Sequence, residues 1–187
     1  MYSQSNTSTS SIGGRASGCS DINPLIPWNT WEPTDTAVLC FIRKGEQLLL
    51  IEKKRGLGKG KINGPGGRIE PGESAEDAAV RETWEEVGLT PSELTRVAEL
   101  RFQFSDGYGL HCTVFFSNSY SGALCETDEA APFWCRISHI PYDRMWADDR
   151  HWLPMVLDGE QIDGKFSFDG DEMLSCRIRS LDQVPLP

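Results

Sequence analysis

The stretch Gly67–Leu89, GRIEPGESAEDAAVRETWEEVGL, decides how this chain is read. Ser74 followed three residues later by Asp77 is a helix-start pattern, and Gly88 is a residue that stops one, so a helix is predicted between them. Successive helix residues turn by ~100°, which sets Glu82, Glu85 and Glu86 within one arc of about that width. Like charges so close repel and raise one another's pKa values unless a cation is shared. Hard oxygen donors of this kind suit Mg2+ or Mn2+, which bridge carboxylates to substrate phosphates. The Glu face also carries Ala75, Ala78 and Ala79, small enough to admit a ligand. Val80, Thr83, Trp84 and Val87 are expected on an opposite, packed side. Taken alone, a solvated acidic helix explains the same carboxylates.

Working upstream, residues 56–67 (GLGKGKINGPGG) read as a flexible loop that Pro65 stiffens. Before it, TAVLCFI and LLLIEKK, joined at RKGEQ, read as a strand hairpin beginning near Thr36. Downstream, LTRVAELRFQF, LHCTVFFSNSY and FWCRISHI interleave apolar and polar residues as strands do. MWADDRHWLPMVLDG reads as a turn and a second helix. Strands interrupted by two helices predict an α/β fold, a mixed sheet covered on both faces by helices. Residues 1–20 are rich in Ser, Thr and Gly and are expected to be a disordered tail. The tryptophans of INPLIPWNTWEP suggest an extended lead-in that packs on the domain or forms part of a partner surface. The boundaries drawn are 1–32 for tail and lead-in and 33–187 for the catalytic domain.

The formal net charge of −10 argues against gripping duplex nucleic acid, which requires many Lys and Arg contacts to phosphate. The six cysteines show no zinc-ligand spacing and read as buried free thiols of a cytoplasmic protein. No stretch approaches the ~20 apolar residues of a membrane span, and the N-terminus has no signal-peptide pattern. His111, His139 and His151 form no spaced cluster and are expected in structural or surface roles.

The decisive string resembles the Nudix box: Gly67, five residues, Glu73, seven residues, Arg81-Glu82, two residues, Glu85-Glu86, one residue, Gly88, then aliphatic Leu89. Thr83 departs from it, standing where an aliphatic residue is usual. The resemblance implies an α/β/α sandwich and a magnesium-dependent hydrolase, with manganese as a substitute. It implies metal ligation by Glu82, Glu85, Glu86 and the Gly66 carbonyl. Glu73 and Arg81 would brace the loop through a salt bridge, with Gly67 and Gly88 shaping the box. The water-activating base is left among Glu82, Glu86 and Glu129, the last matching a metal-site glutamate beyond the box.

A longer resemblance, from about Thr36 to Arg179, is to the MutT-like enzymes that sanitise oxidised purine nucleotides. It implies base-pocket roles for Asn63, Trp146, Asp148 and Asp149, and further pocket positions at Lys53 and Thr36. Leu57 departs from it, standing where an aromatic is expected. Singly, Trp146 reads equally as a core aromatic, Asp148 as a helix cap and Asn63 as a turn residue. The function expected is hydrolysis of an 8-oxo-dGTP-type triphosphate to monophosphate and pyrophosphate. The alternatives are another nucleoside diphosphate derivative such as ADP-ribose, or a non-catalytic nucleotide-binding module. Protein partners are not specified by the sequence.

Overall fold

In the computed structural model, which describes Asn23 and residues 25–183, the first apolar run folds as a hairpin. Its strands are β1 (Asp35–Lys44) and β2 (Gln47–Lys53), turning at Gly45 with φ +58°, a conformation glycine adopts without steric cost. In β1 the side chains alternate: Val38 and Cys40 enter one core cluster while Phe41 enters another. In β2 Leu48 to Ile51 are all fully buried, because both faces of the sheet are covered here. The expected tail, and Cys19 within it, lie outside the described residues.

The remaining elements are β3 (Ile62–Asn63), α1 (Ala75–Val87), β4 (Leu89–Ser92), β5 (Thr95–Phe104), β6 (Gly109–Ser117), β7 (Ser119–Gly122), β8 (Ala130–Arg136), α2 (Asp149–Leu157), β9 (Glu160–Asp169) and β10 (Glu172–Gln183). The main sheet runs β10-β9-β5-β6-β1-β2-β3, with β8 on β2; β4 and β7 form a separate pair. It is mixed: β1 is parallel to β6 and β5 to β9, the other pairings being antiparallel. One helix covers each face, as expected. Ala78 and Ala79 of α1 pack with Val38, Cys40 and Phe115, and Trp152, Leu153 and Val156 of α2 pack with Phe41, Phe116 and Phe166. The strands β3, β4, β7, β9 and β10 were not anticipated.

The ends of α1 follow from local chemistry. Ser74 Oγ accepts from the Asp77 amide at 3.1 Å, and Gly88 adopts φ 73° with its N–H bonded to the Trp84 carbonyl at 2.8 Å. Thr83 and Val87 are fully buried, as expected of the packed side, but Trp84 is 60% exposed, and Ala78 and Ala79 on the Glu side are fully buried too. The alanines do not open the Glu face to a ligand; they let α1 approach the sheet closely, so the face bearing Glu86 is packed as well.

The expectation of free thiols holds at Cys40, Cys112, Cys125 and Cys135 but fails at Cys176, which is disulfide-bonded. Of the free four, Cys40 and Cys112 are buried, and burial pushes the Cys40 thiol up to about 12. No described helix is long and apolar enough to cross a membrane.

Candidate functional site

Beyond Arg43 and Lys44, β1 and β2 diverge, and the loop after β3 runs along the freed edge of β1. Cys40 N donates to Pro65 O at 2.8 Å, Val38 N to Gly67 O at 2.9 Å, and Ile69 N to Thr36 O at 3.0 Å. The glycines are there for lack of space. A Cβ on Gly64 would lie 2.8 Å from the Phe41 ring, one on Gly66 2.1 Å from Val38 O, and one on Gly67 2.3 Å from a Glu82 oxygen. The sequence thus folds a glycine-rich strip tightly between β1 and the acidic residues of α1.

Three carboxylates of α1 meet this strip with different burial. Glu86, 1% exposed, accepts from Gly66 N at 2.9 Å and from Lys53 Nζ at 3.2 Å. Burial raises its pKa, and the Lys53 charge opposes that rise. Lys53 Nζ also reaches Gly66 O at 3.4 Å. Glu82 accepts from Arg81 Nη1 at 2.7 Å, and the same nitrogen reaches Glu85 at 3.2 Å, where the side chain is 47% exposed. Arg81 also grips Glu73 through Nε at 2.7 Å and Nη2 at 2.8 Å, and donates to Arg68 O at 3.0 Å. These bonds, together with the Glu70 amide, hold the Glu73 carboxyl down at about 2. Glu129 is ion-paired to Arg55.

Among the described residues no three acidic, His or Cys side chains converge closely enough to chelate an ion. The carboxylates share a region but are turned to Arg81, Lys53 and Arg55. Their chemistry nevertheless fits a hard divalent cation: the donors are carboxylate oxygens with the Gly66 carbonyl among them, and the chain already brings an ammonium or guanidinium to each.

A cavity of about 430 Å³ opens beside this cluster, within the range of small-ligand sites. Lys53, Gly66, Gly67 and Glu129 line one part of it, and Asn63, Trp146, Asp148 and Asp149 also line it. The last two open α2 and are almost fully buried. Trp152 Nε1 donates to Asp148 Oδ2 at 2.9 Å, and the Trp146 amide to Asp149 Oδ2 at 2.9 Å. Asp148 Oδ1 is buried with no hydrogen-bond partner among the described residues. Burial pushes the Asp148 carboxyl up to about 7, and burial followed by the Asp148 charge raises Asp149 well above the usual carboxylate range. The pair is therefore disposed to keep a proton.

Trp146 meets Phe104 and Phe168 edge-on, at ring-centroid separations of 6.2 and 5.6 Å, and Lys61 Nζ stands 4.8 Å from its ring centroid. Asn63 Oδ1 accepts from the Gly64 amide at 2.8 Å. Leu57 lines the cavity and is half exposed. Thr36 does not line it; its neighbours Ala37, Val38 and Leu39 do. Sequence reasoning missed the wall of Phe102, Phe104, Tyr108 and Phe168, although the alternation in RFQF and FSFD carries a two-residue period.

Residues 33–156 match the family model of the NUDIX domain. An oxidized purine nucleoside triphosphate hydrolase of Danio rerio is 40% identical over 137 residues, 73% of this chain and 88% of that protein. The protein of the same name in Mus musculus is 36% identical over 146 residues, 77% of this chain and 94% of that one. Among solved structures, a MutT protein from Bacillus halodurans matches with a TM-score of 0.70 and 25% identity, over 77% of this chain and 97% of that one.

Proposed function

Since the chain belongs to the Nudix family, we propose that it hydrolyses oxidised purine nucleoside triphosphates, of the 8-oxo-dGTP type, to the monophosphate and pyrophosphate. The observation that carries this reading is the buried acidic pair in a cavity that also reaches the glycine strip. Asp148 Oδ1 has no partner among the described residues, and both carboxyls are raised toward the protonated state. Two carboxyls sharing a proton donate from one oxygen and accept on another, which suits the altered edge of an oxidised purine. The Asn63 acceptor is engaged by Gly64, leaving its amide hydrogens to donate to the base. Trp146 supplies a stacking surface worth ~1–3 kcal/mol per base.

The residues proposed to hold Mg2+, or Mn2+ in its place, are Glu82, Glu85, Glu86, Glu129 and the Gly66 carbonyl. When bound, the ion supplies positive charge at the diphosphate and acidifies a water. Lys53 both lines the cavity and neutralises Glu86, orienting that carboxylate and screening it from the incoming phosphates. Glu73 and Arg81 fix the attitude of the loop to α1, so that the Gly66 carbonyl and Glu86 keep their separation. Removal of the proton from the attacking water falls to one of Glu82, Glu86 and Glu129, each within the acidic region around the strip. The ligand proposed is a free nucleotide rather than a duplex, and the location proposed is cytoplasmic, which the four free thiols among the described residues favour and the Cys176 disulfide opposes.

The test is pyrophosphate release from a panel of oxidised and ordinary nucleotides, with and without Mg2+. Preferential, metal-dependent release from oxidised purine triphosphates is expected. Orthophosphate as the sole product, or equal turnover of oxidised and ordinary dGTP, would sink the reading.

A further inference from the structure

We propose that Trp31 is a positioning residue of the nucleotide cavity, the head of a strut by which the lead-in holds the β5–β6 turn and its cavity-lining Phe104 and Tyr108 in place. This deepens the function proposed above and rests on it for the ligand.

Trp31 Nε1 donates to Gln103 Oε1 at 2.6 Å. Nε2 of the same glutamine donates to the carbonyls of Phe104 at 3.1 Å and Tyr108 at 3.2 Å. Phe102 and Phe104 both line the cavity, so strand alternation turns Gln103 between them to the opposite face of the sheet. One carboxamide therefore ties an indole behind the sheet to two carbonyls whose side chains front the cavity.

Two further joins lie beside it. Thr34 N donates to Gly109 O at 2.7 Å, and Gly109 N to Thr34 Oγ1 at 3.1 Å. The Tyr108 hydroxyl donates to Asp35 at 2.9 Å, and Asp35 also pairs with Arg68, another cavity residue, at 2.9 Å. A side chain at Gly109 would press on the Trp31 ring, its Cβ 3.2 Å away. Trp28 backs Trp31 with ring centroids 5.7 Å apart and is itself approached by Lys165.

The turn's own bonds, Phe104 N to Tyr108 O at 2.9 Å and Gly107 N to Phe104 O at 3.1 Å, fix its shape. On its β9 side the turn is held by Ser105, whose N donates to Phe168 O at 2.9 Å and whose hydroxyl donates to Asp169; on its β6 side it is held by the lead-in, whose Trp28 and Trp31 precede the span matched by the family model.

The experiment places Trp31→Phe, which keeps a ring but loses the donor, and Gln103→Met in the full chain. It reads kcat, KM, the Kd of the product monophosphate, and hydrogen exchange of amides 105–109. KM and Kd should rise about three- to tenfold, the worth of one such hydrogen bond, with faster exchange in the turn. The kcat and the Mg2+ half-saturation should stay within about twofold. A lowered melting temperature with KM, Kd and exchange unchanged would assign Trp31 to packing alone and overturn the proposal. If the native protein shows no preference for oxidised purines, the substrate reading falls instead, and the strut is judged by the same ratios on whichever nucleotide it turns over best.

Discussion

Gly67 leaves room for the Glu82 carboxylate and for nothing more: a Cβ at Gly67 would lie 2.3 Å from Oε2 and 2.4 Å from Cδ of Glu82. At Gly66 the obstacle is different, since a Cβ there would meet backbone, Val38 O, at 2.1 Å. A side chain can swing away and a strand cannot. Gly67→Ala should therefore cost activity, by displacing Glu82, while the protein melts near the native temperature. Gly66→Ala should lower the melting temperature, and on a larger scale. Thermal melts beside turnover assays decide it; equal stability losses in both variants would contradict the distinction.

Glu85 and Glu86 are adjacent in sequence but not equivalent. Glu86 is 1% exposed and bonded to Gly66 and Lys53, whereas Glu85 is 47% exposed and meets only Arg81 among the described groups. Glu86→Gln keeps an acceptor for the Gly66 amide but loses the charge, and should lower kcat/KM on the order of 10²–10⁴-fold, the span that general-base catalysis contributes. Glu85→Gln should lose less, because Glu85 is not among the candidates for the base and, at saturating Mg2+, Glu82, Glu86, Glu129 and the Gly66 carbonyl still hold the ion. Steady-state kinetics at saturating Mg2+ make the comparison, and a larger loss at Glu85 would refute it.

The Glu73–Arg81 pair carries an acid signature. The folded carboxyl titrates at about 2, below the ~4.3 of an unperturbed glutamate. Its stabilisation is thus complete above about pH 4.3 and lost as pH falls toward 2. Glu73→Gln should melt below the native protein at pH 7, with the gap closing between about pH 4 and 2. A gap independent of pH across that range would rule the ion pair out as its source.

What could be read in advance was local. Ser74, Asp77 and Gly88 announce α1 because capping acts through the backbone within one turn, and the box spacing fixes which residues meet the loop. The packed face of α1 was legible only in part: the wheel sets the buried Thr83 and Val87 inward, but it groups Ala78 and Ala79 with Glu82 and Glu86 and does not say that the sheet reaches that side as well. In β9, Gly164 interrupts the alternation of Ile162, Phe166 and Phe168; a Cβ there would lie 2.6 Å from the Phe166 ring and 3.0 Å from Leu100. That tertiary demand hid the strand, and with it Phe168 in the cavity wall. The strands β3 and β4, two and four residues long, are too short to show a period.

The acidic pair predicts the opposite pH behaviour to Glu73. Burial raises the folded Asp148 carboxyl to about 7 from an unfolded value of ~3.9, so ionising it costs stability. That penalty is absent below about pH 3.9, grows as pH rises and is complete above pH 7. Asp148→Asn keeps an oxygen for Trp152 Nε1 and removes the titration. It should therefore gain stability relative to the native protein on going from pH 4 to pH 8. Base recognition should follow the pair's last proton. Asp149 is raised well above the usual carboxylate range by burial and by the charge of Asp148, so the pair keeps one shared proton after Asp148 ionises; KM for the oxidised purine nucleotide should climb only where that last proton is lost, toward tenfold per pH unit, and less in Asp148→Asn, whose amide donates at every pH. Measured KM profiles from pH 5 to pH 9 test this directly. A native profile as flat as that of the variant would show that the pair does not read the base through a shared proton.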